Sequence, residues 1–255
     1  MEKHKAARSY IGLSGYSYRP WQGVDRFYPP GLKQTEFLRY YATRYQTVEL
    51  DGTWYRIPTE SMVQSWMSST PFDFLFAPKV HRQITHQQRL KAESFSLVNL
   101  LLDRLKPLAQ QGRLGPLLIQ LPPNFTRDEE RLGRFLEQLP TTTRWAVEFR
   151  HESWDHPSVE ALLTHFNISW VAADTDDKPA QRRHTADFWY VRLRRTTYDR
   201  EALQQWSSRF AETVAQGMDC FVYCKHEDEG APWLWADTLL SRLGADQTVT
   251  ARPRV

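Results

Sequence analysis

The sequence predicts one α/β domain, a TIM-type (β/α)8 barrel spanning residues 1–255, and three observations carry that prediction. Eight short β-rich runs alternate with helical patterns along the chain. No Gly/Ser linker, charge block or low-complexity segment interrupts the alternation. Each run keeps one face apolar while the other turns polar as the run ends, the pattern of strands lying between outer helices and a barrel mouth. Closure leaves no exposed edge, so the barrel is preferred to a doubly wound open sheet.

The runs in order are 10–15 (YIGLSG), 46–51 (QTVELD), 72–80 (FDFLFAPKV), 115–121 (GPLLIQL), 144–150 (RWAVEFR), 169–174 (SWVAAD), 188–194 (FWYVRLR) and 219–225 (DCFVYCK). Between them, Phe37, Leu38, Tyr41 and Tyr45 mark a first helix, Met62, Val63 and Trp66 a second, and Phe95, Val98, Leu102 and Leu105 a third. Thr126 to Glu129 resembles a capping box before Leu132, Phe135, Leu136 and Leu139, with Pro140 closing the helix. Asp199 precedes a helix with Leu203, Trp206, Phe210 and Val214 on one face, ending near Gly217. The connection at 174–187 is too polar for a packed helix.

With 41% apolar and 25% charged residues, the chain can bury a sizeable core. A net charge of +3 falls well short of the basic stripe of a dedicated duplex-DNA binder and permits anionic ligands. The charged start MEKHKAARSY has no apolar core and no stretch approaches a membrane span, so a soluble, cytoplasmic protein with no membrane partner is expected. Cys220 and Cys224 lie four residues apart on a strand, roughly 13 Å apart. That is too far for a disulfide, and both read as small packing residues.

The segments IGLSGYSYRPWQG, FYPPGL, TVELDGTWYRIP, KVHRQITH, LIQLPPNF, AVEFRHESW, YVRLRRT and YCKHEDEGAP, from about Tyr10 to Trp233, resemble successive signatures of the YecE-like family, domain of unknown function 72. The resemblance implies a TIM-type barrel whose activity is not established. Glu49, Lys79, His86, Gln120, Glu148, Arg150, Trp154, Asp174 and Arg192 match the family pattern. Asp51-Gly52, Arg194-Arg195 and the Cys224–Glu227 stretch depart from its commoner forms.

The polar face of the strand ends carries Ser14, Glu49, Asp51, Lys79, His81, Gln120, Glu148, Arg150, Asp174, Arg192, Arg194 and Lys225. Charges under helices are costly to desolvate, so these side chains are expected in the barrel mouth. Glu49 and Glu148 are the candidate proton acceptors; the competing reading is a structural ion-pair network with Arg150, Lys79 and Arg192. His86 is either a general acid or a capping residue. The converging cations Lys79, Arg150, Arg192, Arg194 and Lys225 suit a phosphate or carboxylate, so an anionic small molecule is the expected partner. The expected role is an enzyme using acid/base chemistry on it. The alternative is a nucleic-acid-binding protein that stacks bases on rim aromatics.

Tyr16, Tyr18 and Trp54 follow strand ends and are expected to stack on a ligand, with Trp154 roofing the pocket, whereas Trp21, Phe27 and Tyr28 are expected to pack. Barrel glycosidases often draw paired carboxylates from strands four and seven, where this chain has Gln120 and Arg192. A metal centre would have to draw on Glu49, Asp51, Asp174, His81, His151 and His226 among repelling cations, without a local ligand motif, so no metal is expected. Neither a P-loop nor a G-x-G-x-x-G follows the first strand, so no nucleotide cofactor is expected.

Overall fold

The computed structural model describes residues 6–225 and 230–250. It contains β1 (Ser9–Ser14), α1 (Phe37–Tyr41), β2 (Thr47–Leu50), α2 (Gly52–Tyr55), α3 (Glu60–Ser68), β3 (Leu75–Pro78), α4 (Phe95–Gln110), β4 (Leu117–Gln120), α5 (Glu129–Glu137), β5 (Trp145–Glu148), α6 (Pro157–His165), β6 (Ser169–Trp170), β7 (Ala172–Asp174), β8 (Phe188–Leu193), α7 (Arg200–Ala215), β9 (Asp219–Cys224) and α8 (Pro232–Thr250). Every anticipated strand is present, but the sixth breaks at Val171 into two pieces, β6 pairing with β5 and β7 with β8.

All pairings are parallel and fall into two sheets, ordered β3-β2-β1-β9-β8-β7 and β4-β5-β6. Hydrogen bonds join the two sheets between β3 and β4, and the chain itself runs from β6 into β7. Between β3 and β4, the Val80 amide donates to Leu118 O at 2.8 Å, with parallel bridges Phe76–Leu114 and Lys79–Leu118. Between β5 and the β6–β7 break, the Val171 amide donates to Val147 O at 2.9 Å.

Strand parity divides the core in two. One cluster holds the apolar face of the strands and the helices that cover it, including Leu13, Val48, Phe76, Ile119, Val147, Val191 and Val222. The other is built from the opposite parity of both sheets: Tyr10, Ala77, Leu118, Ala146, Val171, Tyr190, Phe221 and Tyr223 pack together. The polar strand ends sit at the top of this inner cluster.

Local chemistry accounts for most helix limits. Asp199 caps α7 by accepting from the Ala202 amide at 2.7 Å, and Gly217 beyond it takes φ +83°. The cap of α5 is Asp128, accepting from the Arg131 amide at 3.0 Å, in place of the expected Thr126 box. The 174–187 connection forms no helix beyond β7, as its polarity implied. Trp21, Phe27 and Tyr28 are buried, and Cys220 and Cys224 are free, buried thiols. Among the described residues no helix is long and apolar enough to cross a membrane.

Candidate functional site

Parallel register brings residues of equal height onto one face. Ser14 lies opposite Glu49, Gln120 opposite Glu148, and Arg192 opposite Tyr223. Glu49 and Glu148, from different sheets, converge on Arg192. Arg192 donates through Nη2 to Glu49 Oε1 at 2.8 Å and through Nη1 to Glu148 Oε2 at 2.5 Å. Glu49 also accepts from the Ser14 hydroxyl and from Tyr190 at 2.7 Å. Glu148 accepts from the Gln120 amide, 2.9 Å from both oxygens, and from Arg150 Nε at 3.2 Å, with Arg194 Nη1 at 3.7 Å. Glu49, Gln120, Glu148 and Arg192 are all buried.

Burial alone would raise both carboxyls, but their partners outweigh it. Arg192, with the Ser14 and Tyr190 hydroxyls and Lys79, holds Glu49 below its ordinary value. Against the same burial, Arg192, Arg150 and Arg194 hold Glu148 well below the carboxylate range. A carboxylate gripped by three guanidinium groups is a fixed negative charge and a weak base.

Lys79 lies within electrostatic reach of this network without joining its hydrogen bonds. Its backbone is anchored on both sides: the amide donates to Leu50 O at 3.1 Å and the carbonyl accepts from Thr53 Oγ1 at 2.7 Å. Its Nζ lies 5.0 Å from the Trp54 ring centroid. Among the described residues, Nζ makes no hydrogen bond or ion pair. Burial, then Arg192, pushes its proton affinity down, and Glu148 and Glu49 only partly offset them, leaving it at about 7.

His86 sits in the π-turn Gln83–Gln87, edge-on to Trp54 at 5.0 Å, with Nδ1 2.8 Å from Thr85 Oγ1. Burial, then Lys79 and Arg150, lower its proton affinity to about 4, so the imidazole is neutral near neutral pH.

Two cavities open at this end. The larger, about 640 Å³, is lined by Tyr16, Tyr18, Asp51, Trp66 and Lys225 among others. Its wall begins at Gly15, whose φ of +86° and contact with Tyr18 leave no room for a Cβ. The smaller, about 370 Å³, is lined by Glu148, Arg150, Trp170, Arg183 and Arg194 among others.

Comparison with known proteins places this arrangement in a lineage. The family model described as "Protein of unknown function DUF72" matches residues 10–255. The chain belongs to the DUF72 family. The UPF0759 protein YunF of Bacillus subtilis (strain 168) is 30% identical over 178 residues, 66% of this chain and 60% of that protein. The alignment therefore spans less than two thirds of that relative's length. A DUF72 family protein from Thermotoga maritima MSB8, solved at 2.20 Å, superposes with a TM-score of 0.80 at 26% identity, covering 93% of this chain and 99% of the other. Another from Enterococcus faecalis V583 superposes at 0.71 with 19% identity, over 94% and 99%, a likeness of fold.

Against this DUF72 fold, the expected site residues separate into three groups. Glu49, Glu148, Gln120 and Arg192 form the buried network, and Lys79, His86 and Trp54 stand together beside it. Arg150, Tyr16 and Lys225 line the cavities. Two expectations of placement are corrected. Trp154 is fully buried, its indole donating to Phe125 O at 2.6 Å and its ring stacked on Phe149, so it roofs no pocket. Asp174 pairs in register with Leu193, on the apolar-face parity, and is bound by Arg195 at 2.8 Å, Tyr198 at 3.0 Å and the Ala180 amide at 3.0 Å. It is therefore turned away from the Arg192 network.

His226 lies outside the described residues, and among those described no three His, Cys, Asp or Glu side chains are grouped to hold a metal. Sequence reasoning passed over Tyr190 and Arg183. Tyr190 stands two residues before Arg192 on the same strand face, a signal that was available. Arg183 is recruited from the polar loop after β7 onto the Trp170 ring at 4.1 Å, and no spacing rule marks it.

Proposed function

We propose that this protein is an enzyme that binds a small molecule bearing a phosphate or carboxylate at the strand carboxyl ends and acts on it by proton transfer. The observation that carries this reading is the division of labour among the charges. Arg192 bridges Glu49 and Glu148, while Arg150 engages Glu148 through Nε alone and keeps 32% of its side chain exposed at the smaller cavity. Its terminal nitrogens suit an anion's oxygens. His86 is the favoured proton carrier, with Glu49 and Glu148 as fixed counter-charges. An anion bound beside Lys79 and Arg150 offsets two of the charges that depress His86, raising its proton affinity toward the working pH.

The two sheets are read as arcs of one closed (β/α)8 barrel. In support, the inner cluster draws on both sheets, the Val80 amide bonds Leu118 O across the β3–β4 gap, and Val171, bonded to Val147 O, carries the chain from β6 into β7. Slow amide hydrogen exchange at both positions is the expected result; rapid exchange at either speaks for an open sheet.

The functional test is calorimetric titration with inorganic phosphate. The wild type is expected to bind, and Arg150→Ala to weaken binding on the order of tenfold, the loss of a charge-assisted hydrogen bond. Equal affinity in the two proteins, or none in the wild type, overturns the anion site. Turnover found in a screen of phosphate esters and carboxylates is expected to collapse in His86→Gln.

A further inference from the structure

Lys79 is chemically unusual among the lysines. Lys33, Lys91 and Lys106 are exposed, whereas only 7% of Lys79 is. A buried ammonium is ordinarily paired, because desolvating an uncompensated charge is costly. Here Arg192 occupies Glu49 and Glu148, and no other carboxylate among the described residues forms an ion pair with Lys79. A structural filler role therefore leaves the amine unexplained.

We infer that Lys79 is an amine nucleophile that captures the carbonyl carbon of an anionic aldehyde or ketone as an imine, its Nζ packed on Trp54 beside His86 and the flanking glutamates bound to Arg192. The anionic part of this substrate class rests on the anion site proposed above; the imine step does not. The backbone at Lys79 is tied to Leu50 and Thr53, so the amine is presented from a rigid strand end. Of the residues that act on its charge, Lys225 lines the larger cavity and Glu148 the smaller. Trp54 Nε1 is buried without a hydrogen-bond partner among the described residues, leaving a donor beside the amine.

The step balances without an oxidant or a metal. The neutral amine's lone pair forms a C–N bond to the carbonyl carbon, and the C=O π pair moves to oxygen, which takes up a proton. The nitrogen of the adduct gives up its proton, His86 being the neighbouring base. The hydroxyl is then protonated and leaves as water, and loss of the last N–H proton yields the neutral imine. Overall, one carbonyl compound and one amine give one imine and one water. The chemistry requires a neutral amine. Burial and the Arg192 charge lower Lys79 to about 7, so a sizeable share of it is neutral near pH 7, where an ordinary lysine is almost wholly protonated.

The test uses the intact wild-type chain, so it does not depend on a variant folding. The protein is incubated at pH 7 with sodium cyanoborohydride and either glyoxylate, an anionic aldehyde, or acetaldehyde, a neutral one. Adducts are located by peptide mapping. The expected result is reductive alkylation of Lys79 at least about tenfold faster than of Lys33, Lys91 and Lys106 in the same sample. Lys79→Arg is expected to remove that fast phase and leave the slow labelling unchanged. Labelling of Lys79 no faster than of the exposed lysines overturns the inference, whatever phosphate binding shows. Fast labelling by both carbonyls without preference for glyoxylate upholds the imine lysine and counts against the anion site alone.

Discussion

Replacing Arg192 by methionine removes the cation that joins Glu49 to Glu148. The guanidinium is fully buried and donates to both carboxylates, so Arg192→Met leaves two buried negative charges short of a partner. Breaking a buried pair costs about 3–5 kcal/mol. Glu49 keeps Ser14 and Tyr190, and Glu148 keeps Gln120 and Arg150, which places the expected loss near the lower end, about 3 kcal/mol. For a chain of this size that corresponds to a fall in Tm of about 6–12 °C. Urea unfolding and calorimetry measure it.

The pH dependence supplies an independent check. Both carboxyls are held below their ordinary value of 4.5 in the fold. Their contribution is thus fully present above the unfolded value and is lost as pH falls through the folded ones. The gap between wild type and Arg192→Met is expected to be widest at pH 7 and to narrow below pH 4.5. A loss under about 1 kcal/mol at pH 7, or a gap that widens in acid, refutes the view of Arg192 as the keystone of a buried network.

Lys79→Met is expected to stabilise the protein at pH 7 by about 1–3 kcal/mol, since it removes a buried ammonium that has no ion pair among the described residues. The folded proton affinity, about 7, lies below the ordinary 10.5. The penalty is therefore full below pH 7 and relieved as pH rises through 7 toward 10.5, so the advantage of the variant shrinks in alkali. A destabilised variant at pH 7 contradicts this account of Lys79. Gly12→Ala is expected to destabilise by about 3 kcal/mol or to prevent folding, because a Cβ there would lie 2.1 Å from Thr47 O. A variant with wild-type Tm would show that β1 and β2 do not approach as closely as described.

The sequence by itself determined the strands and their parity. Alternation of apolar residues such as Ile11 and Leu13 or Val191 and Leu193 is a local, two-residue signal, and it survives folding because one face must lie beneath helices. The same alternation placed Glu49, Gln120, Glu148 and Arg192 on the inner face. It misled at Asp174, because the break at Val171 and the register against β8 set that carboxyl with Leu193. It was silent at Trp154, where aromatic loop residues roof pockets or fill cores with the same composition. What only the tertiary structure decided is which charges neutralise one another. Glu49, Glu148 and Arg192 are 143 and 44 residues apart in sequence. Their pairing depends on distances across an inner face to which both sheets contribute, and Coulomb energy in a buried site changes steeply over a few ångströms. That same geometry leaves Lys79 beside Trp54 without an ion pair among the described residues, a property of the position its neighbours occupy in space that the strand pattern does not encode.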